Sequence, residues 1–581
     1  MGLSHHHISP GCLFVLDFRS SCTGSPNISH GAYILVYISI LRSCLAPIAG
    51  YSRRVDLPAL RVPAAQRFVS MISGVVASLA DLPSLSDAQK VLMSLPFELG
   101  GCGISDAIAS SDANPDWYPF VSSFLFSRAY LRGLDIDLRP EAIAGLPAAV
   151  NTVAKTLDVA SVDLLQWNTA RLAHLQKRLS VPLRAEFACS FVRDHVLRAP
   201  TPLRDVLATR YLENTCKPSY SALLAPVFNV GCVRPDRVVA GMLRLRLLET
   251  PGASWDPSVP PPTVCSGCSA PVFQESRFDS RAWPGHEVLR AGLSDLELLN
   301  CDGFESADFP SATPSWDMLR AAVHVRPPGA TPSLVHGLSC LCVAASRKDC
   351  HDNVHVAAAS CFTQKGFRVT NSNYSNPPAN KKMVDFTVWA PLVRIPDVPG
   401  PQGTRAFDVS VVVLPGTLPA GVSFPPLPPW DGDNPDAAAK LFSRWIADAK
   451  RVAFEPLSIR ERAKVRHHLP GTVCEPLVFS ALGGHMPATV RRLPRGGASK
   501  AQAGVQHRTR QNGLQQISNA LLSSAISRLV AFQEFNSGLY ASQATAPALP
   551  VRFRGLRSPF VAARTVLGAP ASEVAGAVAR T

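Results

Sequence analysis

The segment Val384-Asp385-Phe386-Thr387-Val388 decides the fold, because its polar and apolar side chains alternate as in a β-strand with one buried face. A second alternating segment runs from Arg405 to Val413. Asp385 and Asp408 each fall on the face opposite the large apolar residues of their segment. If the two segments are neighbouring strands, the two carboxylates come together and can hold a hard divalent cation.

Helical patterns flank these two segments. His351-Asp352-Asn353-Val354 opens one that reaches Gly366, a suitable C-cap, and Asp436–Lys464 forms another. Val473–Leu482 has the composition of a further strand. Residues 331–480 are therefore predicted to form a sheet flanked by helices, whereas residues 33–250 show mainly helical spacing. The expected fold class is mixed α and α/β.

The order helix, strand, aspartate, strand, aspartate resembles the restriction-like endonuclease of site-specific non-LTR retrotransposon proteins. In that family an H-[DN]-x-V helix start precedes a P-D strand and then a D-V-[ST]-V strand. His351 matches the helix start, and Asp408-Val409-Ser410-Val411 matches the last element. The resemblance implies magnesium-dependent DNA nicking with Asp385, Asp408 and His351 at the site. It also implies a catalytic lysine on a later helix, Lys440 or Lys450, with Lys464 as a third possibility.

The sequence departs from the family pattern at several positions. Val384 replaces the proline before the first aspartate, and Cys350 replaces the arginine before the histidine. Asn371–Tyr374 stands where an acidic residue is expected, and Pro391–Thr404 lengthens the segment between the aspartates. In many nucleases a lysine occupies the position of Ser410. An inactive nucleic-acid-binding remnant and a pseudogene product therefore stay open beside an active enzyme.

A metal site is predicted upstream of this domain. Cys265-Ser266-Gly267-Cys268 is a C-x-x-C knuckle, which can present two thiolates to one zinc ion. His336 and Cys340 can complete a four-ligand site, and His336-Gly337-Leu338-Ser339-Cys340 resembles the end of the family's zinc knuckle. A long insertion separates the two pairs here, and three rival ligands stay open: His286, Cys301 and Cys342. The odd count of 15 cysteines argues against a disulfide framework.

Four further segments carry the resemblance. Leu95–Ile104 is similar to the LP-x-x-x-GG-x-G-[LI] segment that follows the polymerase core of the family. Leu41–Pro47 is similar to the segment at which the family's thumb region begins, and Val121–Leu131 is similar to the helix that follows in the family. Phe479–Gly484 resembles the family's ending after the nuclease. The polymerase's paired-aspartate loop is missing, since the sequence contains no Asp-Asp pair. We therefore expect a truncated protein without reverse transcriptase activity.

The charge of the chain points to nucleic acid as its partner. The net charge is +14 with a pI near 9.3, and Pro487–Arg510 contains no acidic residue. Predicted contacts to nucleic acid are Arg491, Arg492, Arg495, Lys500, Arg508 and Arg510. Basic residues within the helical region, Arg244 and Arg246 among them, suit a nucleic-acid backbone or are ordinary solvated charges. The resemblance implies DNA and element RNA as partners and the nucleus as location.

Six segments follow from these patterns. They are a disordered start (1–32), a thumb- and connector-like helical region (33–250), a zinc-knuckle-like connector with an insertion (251–345), the endonuclease domain (346–485), a basic segment with an amphipathic helix (486–540) and a disordered tail (541–581). The apolar run Gly31–Leu41 is too short to span a membrane, which takes about 20 residues. The sequence gives no indication of oligomeric state.

Overall fold

The structure is a computed structural model. It describes residue 41 and residues 58–104, 118–199, 201–224, 236–249, 265, 268, 270, 272–273, 331–340, 345–363, 367–371, 384–389, 404–432, 434–466, 474–494 and 500–536. The predicted disordered segments 1–32 and 541–581 lie outside these residues, as do His286, Cys301 and Cys342.

The first part of the chain is helical, as its spacing predicts. Its α-helices are α1 Pro58–Leu79, α2 Asp87–Ser94, α3 Tyr118–Arg132, α4 Leu146–Thr156, α5 Ser161–Gln166, α6 Thr169–Leu172, α7 Leu175–Phe191, α8 Thr201–Asn214, α9 Lys217–Tyr220 and α10 Asp236–Arg246. The helices α3 to α6 and the start of α7 enclose a small apolar core of their own. The other helices contribute to the main core, into which Leu41 is also buried.

The later part of the chain mixes helices and strands. Its elements are β1 Val272–Phe273, β2 Thr331–Pro332, α11 Ser333–Ser339, α12 Ala345–Thr363, β3 Arg368–Asn371, β4 Phe386–Trp389, β5 Thr404–Val412, α13 Pro435–Ala453, α14 Glu455–Arg466, β6 Cys474–Ser480, α15 Pro487–Arg492 and α16 Lys500–Asn536. The short strands β1 and β2 pair in parallel. None of the described helices combines the length and the apolar character required to cross a membrane.

The main sheet has four strands in the order β3-β4-β5-β6. Its first three strands are antiparallel neighbours, and β5 and β6 run parallel. Phe386 and Phe407 are register partners and stack in an apolar core that α12 and α16 cover. The predicted adjacency of the two aspartate-bearing strands is therefore confirmed.

The prediction that Asp436–Lys464 is helical is confirmed, and the chain forms two helices there. The first, α13, ends at Ala453, and α14 begins at Glu455 with Pro456 as its second residue. Proline has no amide proton and clashes with the preceding turn, so the first turn of a helix, where Pro456 stands, accommodates it best. The break allows α14 to pack on β6 and β5.

Arg246 ties the glycine-rich segment after α2 to the helices. It is fully buried, and its guanidinium donates to the carbonyl oxygens of Asn214, Phe97 and Gly101. The Cζ atom of Arg246 also lies 5.1 Å from the ring centroid of Phe97 and 5.5 Å from that of Tyr220. Burial lowers the pKa of Arg246 to about 10, so the group stays charged at neutral pH. A cation–π contact and several charge-assisted hydrogen bonds offset the cost of burying this charge.

The burial of Arg244 and Arg246 corrects the expectation that basic residues of the helical region lie on its surface. Arg244 and Arg246 do not face a nucleic-acid backbone, because both are buried and donate to backbone carbonyls, Arg244 to that of Ala80 at 2.7 Å. A guanidinium has five donors, so it can satisfy carbonyl groups that helix ends leave without an intrahelical partner. Sequence spacing cannot distinguish such an internal arginine from a surface one.

The Phe479–Gly484 string joins the sheet to the helical region. The hydroxyl of Ser480 donates to the Glu213 carboxylate on α8 and accepts the Gly484 amide at 2.7 Å. Gly483 has φ +91°, and a β-carbon there would lie 2.6 Å from the backbone nitrogen of Ser219. Only glycine fits both the left-handed conformation and this close approach.

Glu213 should make stability depend on pH. Burial raises its pKa to about 8, although the hydrogen bond from Ser480 opposes the rise. The folded protein therefore holds a proton that the unfolded chain releases near pH 4.5. The contribution to stability is complete below pH 4.5 and declines by up to about 1.4 kcal/mol per pH unit until pH 8. Glu213→Gln, which cannot ionise, should lose this slope.

Urea unfolding of both proteins between pH 5 and pH 9 measures this effect, because subtraction removes the other titrating groups. We expect Glu213→Gln to gain stability relative to the natural chain as the pH rises. Parallel curves for the two proteins would show that Glu213 titrates normally.

Candidate functional site

Asp385 lies directly beside the chain segment that carries Asp408. Its amide donates to the Phe407 carbonyl at 2.9 Å, and its Oδ2 accepts the Val409 amide at 2.6 Å. Asp385 thus bonds to both chain neighbours of Asp408. The register explains this, because Phe386 opposes Phe407 and the preceding Asp385 then falls opposite Asp408. Both aspartates are 5% exposed.

Lys464 is the lysine that contacts this pair. Its Nζ lies 2.5 Å and 2.6 Å from the two carboxylate oxygens of Asp408. The helix α14 delivers it, since α14 packs against β6 and β5. The buried thiol of Cys474 borders the same site: its pKa is raised to about 12 by burial and by the charge of Asp408, with Lys464 opposing.

Lys440 and Lys450, predicted first for the lysine role, belong to α13 and not to the helix that reaches Asp408. Lys440 is exposed, and Lys450 lies close to Cys216 and His485. The reason is the break before Pro456, which sends α13 toward the helical region and α14 toward the sheet. Of the three lysines, Lys464 is the one that contacts Asp408.

His351 approaches the aspartates from α12. Its Nε2 lies 3.4 Å from Asp385 Oδ2 and 3.2 Å from the Val409 carbonyl oxygen, and its Nδ1 lies 3.3 Å from Asp352 Oδ1. The hydrogen bond with Asp385 raises the pKa of His351 to about 9, against the opposing effect of burial. At neutral pH the imidazole is therefore protonated and holds the Asp385 carboxylate in place.

The predicted cysteine–histidine site converges in space. The ligand atoms of Cys265, Cys268, His336 and Cys340 all lie within 4.8 Å of one another. The Cys265–Cys340 and Cys268–Cys340 sulfur pairs are each 3.8 Å apart, and Cys268 Sγ lies 3.3 Å from His336 Nε2. A tetrahedral zinc ion with bonds of about 2.3 Å holds its sulfur ligands about 3.8 Å apart. The convergence across the long insertion is therefore confirmed.

The electrostatics of this cluster also suit a metal ion. Burial lowers the pKa of His336, so its imidazole is neutral and can donate a lone pair at neutral pH. Partial desolvation raises the pKa of Cys268, but hydrogen bonds involving Ala270, Cys265 and Cys340 outweigh it and lower the pKa overall. Three thiolates and one imidazole form a donor set that structural zinc prefers. Such a site can bind zinc or a similar thiophilic metal.

One contact of this cluster escapes sequence analysis. The ring of Phe532, on α16, lies 5.5 Å from that of His336 and packs with Cys265 and Cys340. A β-carbon on Gly337 would also meet the Phe532 ring. Nothing in the spacing of a distant helix indicates which apolar residue closes a metal cluster.

The predicted nucleic-acid contacts are only partly described. Arg491 is exposed on α15, whereas Arg492 pairs with Glu461 and donates to the Pro476 carbonyl at 2.9 Å. Arg492 is thus engaged within the protein, because α15 packs against β6. Arg495 and the side chains of Lys500, Arg508 and Arg510 lie outside the described part of the structure.

Comparisons with known proteins add no relative. No family model, curated protein or solved structure matches the chain. The resemblance to retrotransposon proteins therefore depends on the motifs quoted above.

Proposed function

We propose that this chain is the downstream part of a non-LTR retrotransposon protein and that its α/β domain cuts DNA with a divalent metal ion. The observation that carries the proposal is the meeting of four side chains at one end of the sheet. Asp385 bonds to both neighbours of Asp408, His351 holds Asp385, and Lys464 holds Asp408. Paired carboxylates and a lysine are the groups that metal-dependent phosphodiester cleavage requires.

In this proposal Asp385 and Asp408 would hold magnesium, which would supply activation of a water molecule and would offset negative charge on the phosphate. The chain's own groups prepare that site. His351 fixes the rotamer of Asp385 and shields its charge. Lys464 neutralises Asp408 before substrate arrives, and its ammonium is then placed to interact with the phosphate. A nick made in this way leaves a 3′-hydroxyl that a polymerase can extend.

A binding protein without catalysis is the second candidate. It is favoured by the burial of both aspartates, each 5% exposed, and by the close Lys464–Asp408 ion pair, which neutralises a carboxylate without metal. In that case the zinc-binding connector and the basic surface serve DNA or RNA binding alone.

Nicking of supercoiled plasmid separates the two candidates. Protein dialysed free of magnesium is assayed with and without added Mg²⁺ or Mn²⁺, without a chelator that would remove a cluster-bound zinc ion. We expect relaxed circles only when the divalent ion is present. Binding without cleavage under either metal would favour the second candidate.

A further inference from the structure

Trp389 is an exposed tryptophan that the sheet holds in a fixed position. It is 44% exposed at the end of β4, and its indole Nε1 donates to Thr370 Oγ1 at 3.1 Å. Its register partner across the strand pair is Arg368, which is also exposed. Tryptophan is usually largely buried, so an exposed ring anchored by a hydrogen bond points to a binding role.

Trp389 shares a face of the sheet with Asp408. Phe386 and Val388 of β4 point into the core under α12 and α16, so Trp389 points to the opposite face. On β5 the core residues are Phe407 and Val409, so Asp408 also points away from that core. Thr404 opposes Trp389, and the distance from Thr404 to Asp408 along the strand is about 13 Å. This equals about four base-pair steps of duplex DNA.

Among the described residues, a helix covers one part of this face, and exposed side chains mark the other part. Over β5 and β6 it is covered by α14, which delivers Lys464 to Asp408. Over β3 and β4 it carries the exposed Arg368 and Thr370 and the half-buried Thr387. A polar strip therefore leads from the Asp408–Lys464 pair to Trp389 and Arg368.

We propose that Trp389 and Arg368 bind one nucleotide of the DNA strand that is cut at Asp408. The indole stacks on a base that has left the helical stack, and the guanidinium pairs with a backbone phosphate. Aromatic stacking together with a cation suits a nucleic acid, whereas a protein-binding patch is expected to be continuous and apolar. Here the neighbours of Trp389 on the face are polar. The inference rests on the proposed function for the identity of its ligand.

The test measures binding of labelled oligothymidine and of a duplex of equal length to the full chain by fluorescence anisotropy, without added magnesium. Trp389→Ala and Trp389→Leu should weaken oligothymidine binding by about 5- to 150-fold, which corresponds to roughly 1–3 kcal/mol of stacking at 1.4 kcal/mol per tenfold change. Trp389→Phe keeps an aromatic face and should retain most of the affinity. Arg368→Gln should reduce the log–log salt slope by about 0.7.

Tyr130→Ala is the matched control, because Tyr130 is an exposed aromatic residue on α3, outside the sheet. Unchanged affinity of Trp389→Ala and Trp389→Leu would overturn the proposal, and so would an equal loss on single strand and duplex. The outcome is independent of cleavage: a Trp389 effect without any nicking refutes only the nuclease, and nicking without a Trp389 effect refutes only the stacking site.

Discussion

Asp408→Asn abolishes plasmid nicking while DNA binding persists, if Asp408 is a metal ligand. Asparagine keeps the size of the side chain but removes the charge that holds magnesium. Metal-ion stabilisation of a phosphodiester transition state contributes several kcal/mol, so we expect a loss of about 1,000-fold or more. Asp385→Asn should have the same effect. Nicking rates and anisotropy titrations on the same preparations measure the two properties separately.

The fold of these variants has to be checked, because Asp408→Asn leaves the partly buried Lys464 without its carboxylate partner. The double variant Asp408→Asn with Lys464→Met removes both charges and keeps the packing. Asp349→Ala replaces an exposed aspartate on α12 and is the matched control, which should nick normally. Cleavage that survives replacement of both Asp385 and Asp408 would show that the site lies elsewhere.

If the cluster of Cys265, Cys268, His336 and Cys340 holds zinc, loss of that ion should destabilise the connector more than any single core substitution. Structural zinc sites contribute roughly 10 kcal/mol or more of apparent binding free energy, and that energy is folding free energy. Cys268→Ala is the informative change, because Cys268 is exposed and its side chain adds little to the core. We expect this variant to purify without zinc and to unfold at lower urea concentration, with α16 losing protection from hydrogen exchange around Phe532.

Cys189→Ala supplies the control, since Cys189 is buried outside the cluster and its loss only leaves a small cavity. That variant should keep one zinc ion per chain by elemental analysis. A natural chain that purifies without zinc, and that gives no tetrahedral cobalt spectrum on reconstitution, would contradict the assignment.

Local patterns predicted the elements of this fold better than their assembly. Alternation around Asp385 and Asp408 indicated two strands, and hydrophobic neighbours such as Phe386 and Phe407 made their register predictable. Apolar periodicity predicts the helical character of Asp436–Lys464, but it does not show that the chain divides into α13 and α14 before Pro456. The family resemblance implies a lysine on a later helix without selecting one, and the packing of α14 on β6 and β5 brings Lys464, rather than Lys440 or Lys450, to Asp408.

Contacts between segments distant in the sequence were predictable only where the residues are metal ligands with a recognisable spacing. The ligands Cys265, Cys268, His336 and Cys340 converge across a long insertion, and a C-x-x-C pair with a His-x-x-x-Cys pair is a sequence signal for one four-ligand site. Arg246 and Glu213 gave no such signal, because a charged residue in a helical pattern is usually solvated. Their burial depends on carbonyl groups and a hydroxyl that neighbouring segments supply only in the folded chain.

The helix α16 joins three parts of the protein. Its 37 residues span about 55 Å. Close contacts occur where Gly513 meets Cys361 of α12, where Ile526 meets Gly241 of α10, and where Phe532 meets Gly337 of α11. During synthesis on the ribosome, the sheet, the helical region and the metal cluster all emerge before this helix. Each of these three parts therefore exposes an apolar surface until residue 536 has left the exit tunnel. During this interval the nascent chain most needs a chaperone.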